Sequence, residues 1–303
     1  MIHPLSGVYA AAVTPLKPDG SIDAPAIVPL LDFLARRGCH GALLFGTTGE
    51  GPSFAPDERI ELCRAALPIR ESHPDFKLLL GAGTPSLEET IALTRAAFDL
   101  GLDGVVTLPP YYFRKASDDG LFAWFAEVIQ RAVPGNGFLF GYHIPSVSGV
   151  GLSFDLLARL KDSFPTQFAG LKDSSADTEH GRLLGERFAD DLLIFCGTDP
   201  LFQNALRGGA SGCITAPANL FSPELRQVWE AHASGGDAAA AQKRLETMRP
   251  ILDRYPPASA TLKALLSRMH GLPRFAVRPP LLPISHETEE AVVSELEAAG
   301  LIN

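Results

Sequence analysis

The chain has 303 residues, 46% of them hydrophobic, which is enough to bury a large core, and a formal net charge of −9. That charge argues against nucleic acid or an anionic membrane surface as partner, since either favours a clustered positive face, and it directs attention to small molecules. Four cysteines, Cys39, Cys63, Cys196 and Cys213, form no CxxC pair, a pattern of reduced thiols rather than of a disulfide framework or zinc site, so a cytoplasmic location is expected.

The opening MIHPLSGVYA shows no leader pattern, and no apolar run approaches bilayer length, which predicts a soluble, unprocessed chain. Eight apolar, β-rich runs follow in order: 7–13, 41–45, 77–83, 103–108, 137–142, 168–172, 192–196 and 212–215. They are continuous rather than alternating, as in parallel strands covered on both faces. Between the first two, Ile27, Leu30, Leu31 and Leu34 repeat with helical spacing. After the third, Ser86 and Glu89 have the spacing of a capping box, and Gly101 is placed to end that helix. Pro200 and Gly208 bracket another helix after the seventh. Eight β/α repeats in roughly 220 residues predict a TIM (β/α)8 barrel over 1–222. Beyond Pro223 the patterns are purely helical, predicting a C-terminal helical segment, 223–303, packed on the barrel without a low-complexity linker.

In such a barrel, residues just past the carboxyl ends of the strands converge on the functional face. The rule selects GTTGEG (46–51), PPYYFR (109–114), GYHIPS (141–146), Lys172, GTDP (197–200) and Thr215. Of seven lysines only Lys77 and Lys172 fall in proposed strands, and Lys77 starts its strand, at the opposite end. An ordinary lysine amine is free in only about one molecule in two thousand at pH 7. Desolvation among Phe168, Leu171 and the neighbouring strands disfavours the charged form, and a free amine can attack a carbonyl to give a Schiff base. A strand-end lysine is as readily one that reaches solvent or pairs with its neighbour, here Asp173, so the surrounding residues must decide. Tyr142, at the end of the adjacent strand, can shuttle protons to the same space or serve as a core aromatic with one hydrogen bond. Thr47 and Thr48, between Gly46 and Gly49, suit a carboxylate; a phosphate competes, but the stretch lacks the GK[ST] of a nucleotide loop. His143 follows Tyr142, where alternation points it away from the interior. No histidine, His286 included, has HExxH spacing, so no metal is expected. Glu287, Glu289 and Glu290 read as a solvated helix start.

Together these motifs resemble the dihydrodipicolinate synthase and N-acetylneuraminate lyase family of class I aldolases. GTTGE (46–50), PYY (110–112), GYHIPSVSG (141–149) and GLKDSS (170–175) occur in that family's order and approximate spacing. The resemblance implies a barrel that condenses or cleaves pyruvate and an aldehyde through a lysine imine, with no other cofactor. Lys172 would form the imine, Tyr142 would transfer protons beside it, and Thr47 would relay to Tyr142. Tyr112 is similar to the tyrosine that completes the relay from a neighbouring subunit, which implies a homodimer or homotetramer. Thr48, with the backbone around it at Gly46, would hold the pyruvate carboxylate, and Ile214 would border the imine. Asp199 matches an aspartate near the sugar hydroxyls in the lyases, with Pro200 in place of the glutamate beside it.

One departure bears on the substrate. The synthases carry a motif resembling YNVPSRTG, whose arginine binds the carboxylate of aspartate semialdehyde; here Val147 takes that place and cannot make the bidentate contact. The lyases and the 2-keto-3-deoxy sugar acid aldolases carry an apolar or small residue there. The expectation is therefore a 2-keto-3-deoxy sugar acid aldolase. The alternatives are a dihydrodipicolinate synthase using another cation, with Arg114 as candidate, a keto-sugar-acid dehydratase sharing the imine, and a non-catalytic keto-acid sensor.

Overall fold

Apolar runs covered on both faces become strands, and all eight do so in the computed structural model, which describes residues 2–302. β1 (Gly7–Ala11), β2 (Gly41–Leu44), β3 (Lys77–Gly81), β4 (Gly104–Thr107), β5 (Leu139–His143), β6 (Phe168–Asp173), β7 (Leu193–Cys196) and β8 (Gly212–Thr215) pair in chain order, all parallel. β8 closes on β1, giving the predicted TIM barrel. Each strand divides its residues between two cores. Tyr9, Leu43, Leu79, Val106, Phe140, Phe195 and Ile214 fill the interior, while Val8, Ala42, Leu78, Val105, Leu139 and Cys213 pack outward against the helices.

The helix Ile27–Arg36 buries Ile27, Leu30, Leu31 and Leu34, the four positions its spacing marks. The helix Leu87–Asp99 starts where Ser86 Oγ accepts a bond from the Glu89 amide at 3.3 Å. Only half of the expected capping box forms: the Ser86 amide bonds to Thr84 Oγ1 at 3.1 Å instead of to the Glu89 side chain. A 3-10 turn, Asp199–Leu201, leads into the helix Phe202–Arg207, which stops at Gly208.

β5 and β6 differ from their neighbours. Their register shifts between Leu139 and Phe140, which lie opposite Phe168 and Gly170, so that Ala169 is an extra residue. This bulge changes the phase of the strand. Phe168 packs outward and Ala169 inward; two residues further on Leu171 packs outward again, so Lys172 turns inward, opposite Tyr142. Gly170 permits the close approach, because a Cβ there would meet the Leu193 carbonyl oxygen at 2.0 Å.

The helix Ala218–Ser234 runs across position 222 and is kinked at Phe221, two residues before Pro223 removes a backbone donor. Its Asn219 side chain bonds to Ala11 O at 2.8 Å and accepts from the Val13 amide at 3.2 Å, so this helix belongs to the barrel's outer layer, beside β1. The helices Ala239–Asp253, Ala258–His270 and His286–Ala298 form the segment beyond it. This segment is tied to the functional face: Arg249 pairs with Asp199 at 3.0 Å, and Gln242 donates to Pro200 O at 2.8 Å. The four cysteines are free and buried. Among the described residues no helix is long and apolar enough to cross a membrane.

Candidate active site

Lys172 sits at the carboxyl end of β6 with 4% of its surface exposed, and its register partner on β5 is Tyr142. Its Nζ donates to the Tyr142 hydroxyl at 2.8 Å and lies 4.0 Å from the centre of that ring. Asp173, the alternative partner, faces the other way: its Oδ1 accepts from the Ser175 amide and its Oδ2 lies 3.5 Å from His180 Nδ1. Thr47 Oγ1 is 3.3 Å from the Tyr142 hydroxyl, and Thr47 is exposed whereas Gly46 and Thr48 are buried. Amine, phenol and threonine hydroxyl thus form a chain leading from the buried strand end to the barrel mouth.

The turn that presents Thr47 is fixed from several sides. Phe45 (φ 55°) and Glu50 (φ 57°) flank it in the left-handed region that non-glycine residues avoid. Glu50 and Gly51 amides bond back to Thr47 O and Gly46 O, both at 3.1 Å, and Thr14 Oγ1 donates to Gly49 O at 2.6 Å. A Cβ at Gly49 would meet Ala12 O at 2.7 Å. Such strain persists only where surrounding bonds over-determine it, and it is typical of functional sites.

Burial alone would push the Tyr142 phenol up. The charge of Lys172 and the hydrogen bonds of Lys172, Thr47 and Ser174 more than offset it, and leave the phenol below the ordinary tyrosine value.

The other sequence-selected residues divide into two groups. Ile214 lines the interior with Tyr142. Tyr112 is 77% exposed, its ring edge-to-face with Phe113 at 5.3 Å, and it makes no hydrogen bond to Tyr142 within the chain. Asp199 is fully buried, and its carboxylate bonds to Arg249, not to Lys172, Tyr142 or Thr47. Val147 is exposed on the turn Pro145–Ser148, and Arg114 lies against the end of that turn: a Cβ at Gly149 would come within 2.8 Å of Arg114 Cδ.

Three site-related residues carry no assignment from the sequence. Glu50 forms a buried ion pair with Lys263. The signal for it is a lysine set in the apolar run ATLKALL, which needs a buried anion. Arg59 is buried, bonding to Phe54 O at 3.3 Å and Gly81 O at 3.2 Å beside a small cavity shared with Thr47 and Tyr142. Nothing in PDERIE distinguishes it from a solvated helix start.

His143, Asp173 and His180 have ligand atoms within 4.8 Å of one another, on the outer side of β5 and β6. The two imidazoles stack at 4.4 Å with an interplanar angle of 15°. Lone pairs in near-parallel planes do not converge on an ion at about 2.0–2.1 Å from each nitrogen, so the trio does not form a metal site as it stands. A cavity of about 850 Å³ is lined by Ile2, His3, Phe138 and Leu193 at the amino end of the strands, away from the Lys172 amine.

A buried amine at the carboxyl end of a barrel strand is the arrangement that lysine-imine chemistry needs, and comparison with known proteins shows the family. Residues 4–299 match the profile of the dihydrodipicolinate synthetase family. An uncharacterized DapA-like lyase of Chloroflexus aurantiacus is 40% identical over 294 residues, covering 96% of both chains. A 4-hydroxy-tetrahydrodipicolinate synthase of Thermus thermophilus is 35% identical over 287 residues, 93% of both. Among solved structures, dihydrodipicolinate synthase from Agrobacterium tumefaciens aligns with a TM-score of 0.87 at 32% identity, over 96% of this chain and 98% of that one. YagE from E. coli K12, a member of the same family in complex with pyruvate, aligns with a TM-score of 0.90 at 25% identity, over 98% and 99%. The chain belongs to the dihydrodipicolinate synthetase family. It is an enzyme of that family's pyruvate-dependent aldolase and lyase kind.

Proposed function

We propose that the chain is a lysine-imine aldolase that cleaves a 2-keto-3-deoxy sugar acid to pyruvate and an aldehyde, or runs the reverse condensation. The observation that carries this reading is the buried Lys172 amine, 2.8 Å from the Tyr142 hydroxyl, with Thr47 next in line. The neutral amine attacks the C2 carbonyl, and protonation of the C2 oxygen lets it leave as water, forming the imine. Tyr142 is placed to give and recover these protons, with Thr47 passing them toward the mouth. Removal of the C4 hydroxyl proton breaks the C3–C4 bond, whose electron pair moves into the C2–C3 enamine as the aldehyde departs. Protonation at C3 and hydrolysis then release pyruvate and regenerate the amine. The imine is the electron sink, so the scheme calls for no other cofactor.

Thr48 and the Gly46 backbone are assigned to the carboxylate, and Ile214 to the apolar wall beside the imine. Tyr112 is assigned to the relay of a second copy in a homodimer or homotetramer, for which its exposed pairing with Phe113 leaves it available. Four buried free thiols fit a reducing compartment, taken here as the cytoplasm.

A second reading, 4-hydroxy-tetrahydrodipicolinate synthase, is favoured by the position of Arg114 against Gly149, which sets a cation beside the turn where Val147 replaces an arginine. Three assays test the readings: trapping tests the imine that both share, and the two turnover assays separate them. Borohydride reduction with pyruvate should leave a mass adduct on Lys172, and a screen of 2-keto-3-deoxy acids of different length should release pyruvate from at least one. Absence of the adduct would sink the imine mechanism. Condensation with aspartate semialdehyde at ordinary enzyme rates, about 1 to 1,000 per second, would overturn the sugar acid assignment.

A further inference from the structure

The turn that carries Thr47 and Thr48 is anchored from outside the barrel. The carboxylate of Glu50, which closes the turn, receives Lys263 Nζ on one oxygen and the Arg278 amide on the other, at 2.9 Å. Lys263 stands in the helix Ala258–His270 with 1% of its surface exposed, and it also donates to Ala276 O at 2.6 Å. Arg278 reaches on to Glu58 at 2.6 Å and Ser53 O at 3.0 Å. The ties from residues 263–278 therefore grip the stretch directly after the turn. A buried ion pair contributes little net stability over apolar packing of the same volume, and its best-attested use is to fix one arrangement. Here the arrangement includes a left-handed Glu50, which the bonds to its carboxylate help to hold.

We propose that Glu50 and Lys263 are positioning residues: the buried pair sets the Thr47–Thr48 turn, and through it the Thr47–Tyr142 contact, from the C-terminal helical segment. The inference rests on the imine reading of that turn. On this view the segment is part of the catalytic apparatus although it contributes no group that meets the substrate.

The test compares wild type, Lys263→Met, the double variant Glu50→Gln with Lys263→Met, and Arg244→Met. Thermal midpoint, pyruvate KM and kcat, and the yield of borohydride-trapped imine at subsaturating pyruvate are measured for each. Lys263→Met leaves a buried carboxylate without its cation and can fail to fold. The double variant keeps the volume and buries no lone charge, so it should melt close to wild type. It should nevertheless show pyruvate KM raised about tenfold, with a smaller fall in kcat, because a displaced turn weakens carboxylate binding first. Arg244→Met removes bonds to Glu224, Gly300 O and Leu301 O, none of which touches the turn. It should lower the midpoint and leave KM within about twofold. A double variant with wild-type KM and trapping overturns the proposal, as does an Arg244→Met whose KM rises equally. If wild type itself forms no adduct, the imine reading fails and takes this one with it; a wild-type adduct undiminished in the double variant sinks this inference alone.

Discussion

The inner and outer sides of β5 and β6 carry neighbouring residues with opposite roles. Inside, Tyr142 and Lys172 share a 2.8 Å hydrogen bond and open to the mouth through Thr47. One residue further on, His143 and Asp173 face outward. His143 Nδ1 accepts from the Leu152 amide at 2.9 Å, which places its proton on Nε2, and His180 is stacked between the rings of His143 and Phe154. Histidine is the usual acid–base residue near pH 7, yet here it is built into a support, while the proton transfer we propose falls to a tyrosine. Side of strand, more than residue type, separates chemistry from scaffolding.

The largest effects should come from the inner side. Lys172→Ala should abolish the borohydride adduct and lower pyruvate release by about 10⁴-fold or more, since the proposed nucleophile is gone. An adduct on that variant would show that another amine does the chemistry. Tyr142→Phe keeps the ring beside the amine and removes only the hydroxyl, so kcat should fall by about 10²–10³ with pyruvate KM changed far less. The pH profile sharpens this. Because the phenol lies below its ordinary value of about 10, its proton-donating form disappears at a lower pH than that of free tyrosine. The rate should decline on that alkaline limb in wild type, and the limb should be absent from Tyr142→Phe.

A smaller but more diagnostic effect is expected at Gly170. The added methyl of Gly170→Ala collides with Leu193 O and should cost about 1–3 kcal/mol, measured by denaturant unfolding. It should also lower imine trapping disproportionately, because the bulge determines which way Lys172 points. Loss of stability with trapping intact would show that the bulge is dispensable for the site.

That bulge marks where the sequence stops being legible. Continuous apolar runs give the strands to within a few residues, and four motifs in order give the family, because both signals are local. The inward turn of Lys172 is not local. Simple alternation from the outward Phe168 would send Lys172 outward too, and only the extra residue at Ala169 reverses it. The Glu50–Lys263 pair is hidden for a similar reason: Lys263 in its apolar run signals a buried anion, but its partner lies 213 positions away and nothing local marks Glu50 as that anion. Asp199, which the resemblance matches to an aspartate near the sugar hydroxyls, pairs with Arg249, 50 positions away, a contact that no local pattern announces.

The smallest effect belongs to the outer side and concerns stability. Burial, and then the charge of His180, hold the His143 imidazole below its ordinary value; Asp173 opposes them. The unfolded chain therefore takes up this proton first, at about 6.5. The contribution to stability is complete above that pH and is lost as pH falls through it toward the lower folded value. His40, held at about 4 chiefly by burial and further by Arg226, adds a decline in the same direction between 6.5 and about 4. Thermal midpoints taken from pH 7.5 down to 5 should fall, and the fall should be shallower in His143→Asn. At pH 7.5 that variant should trap the pyruvate imine within about twofold of wild type, since His143 bonds to none of the three groups in the Lys172–Tyr142–Thr47 hydrogen-bonded chain. If trapping drops tenfold instead, the outer residue is setting the position of Tyr142 through the shared strand, and the separation of the two sides is one of contact only, not of energy.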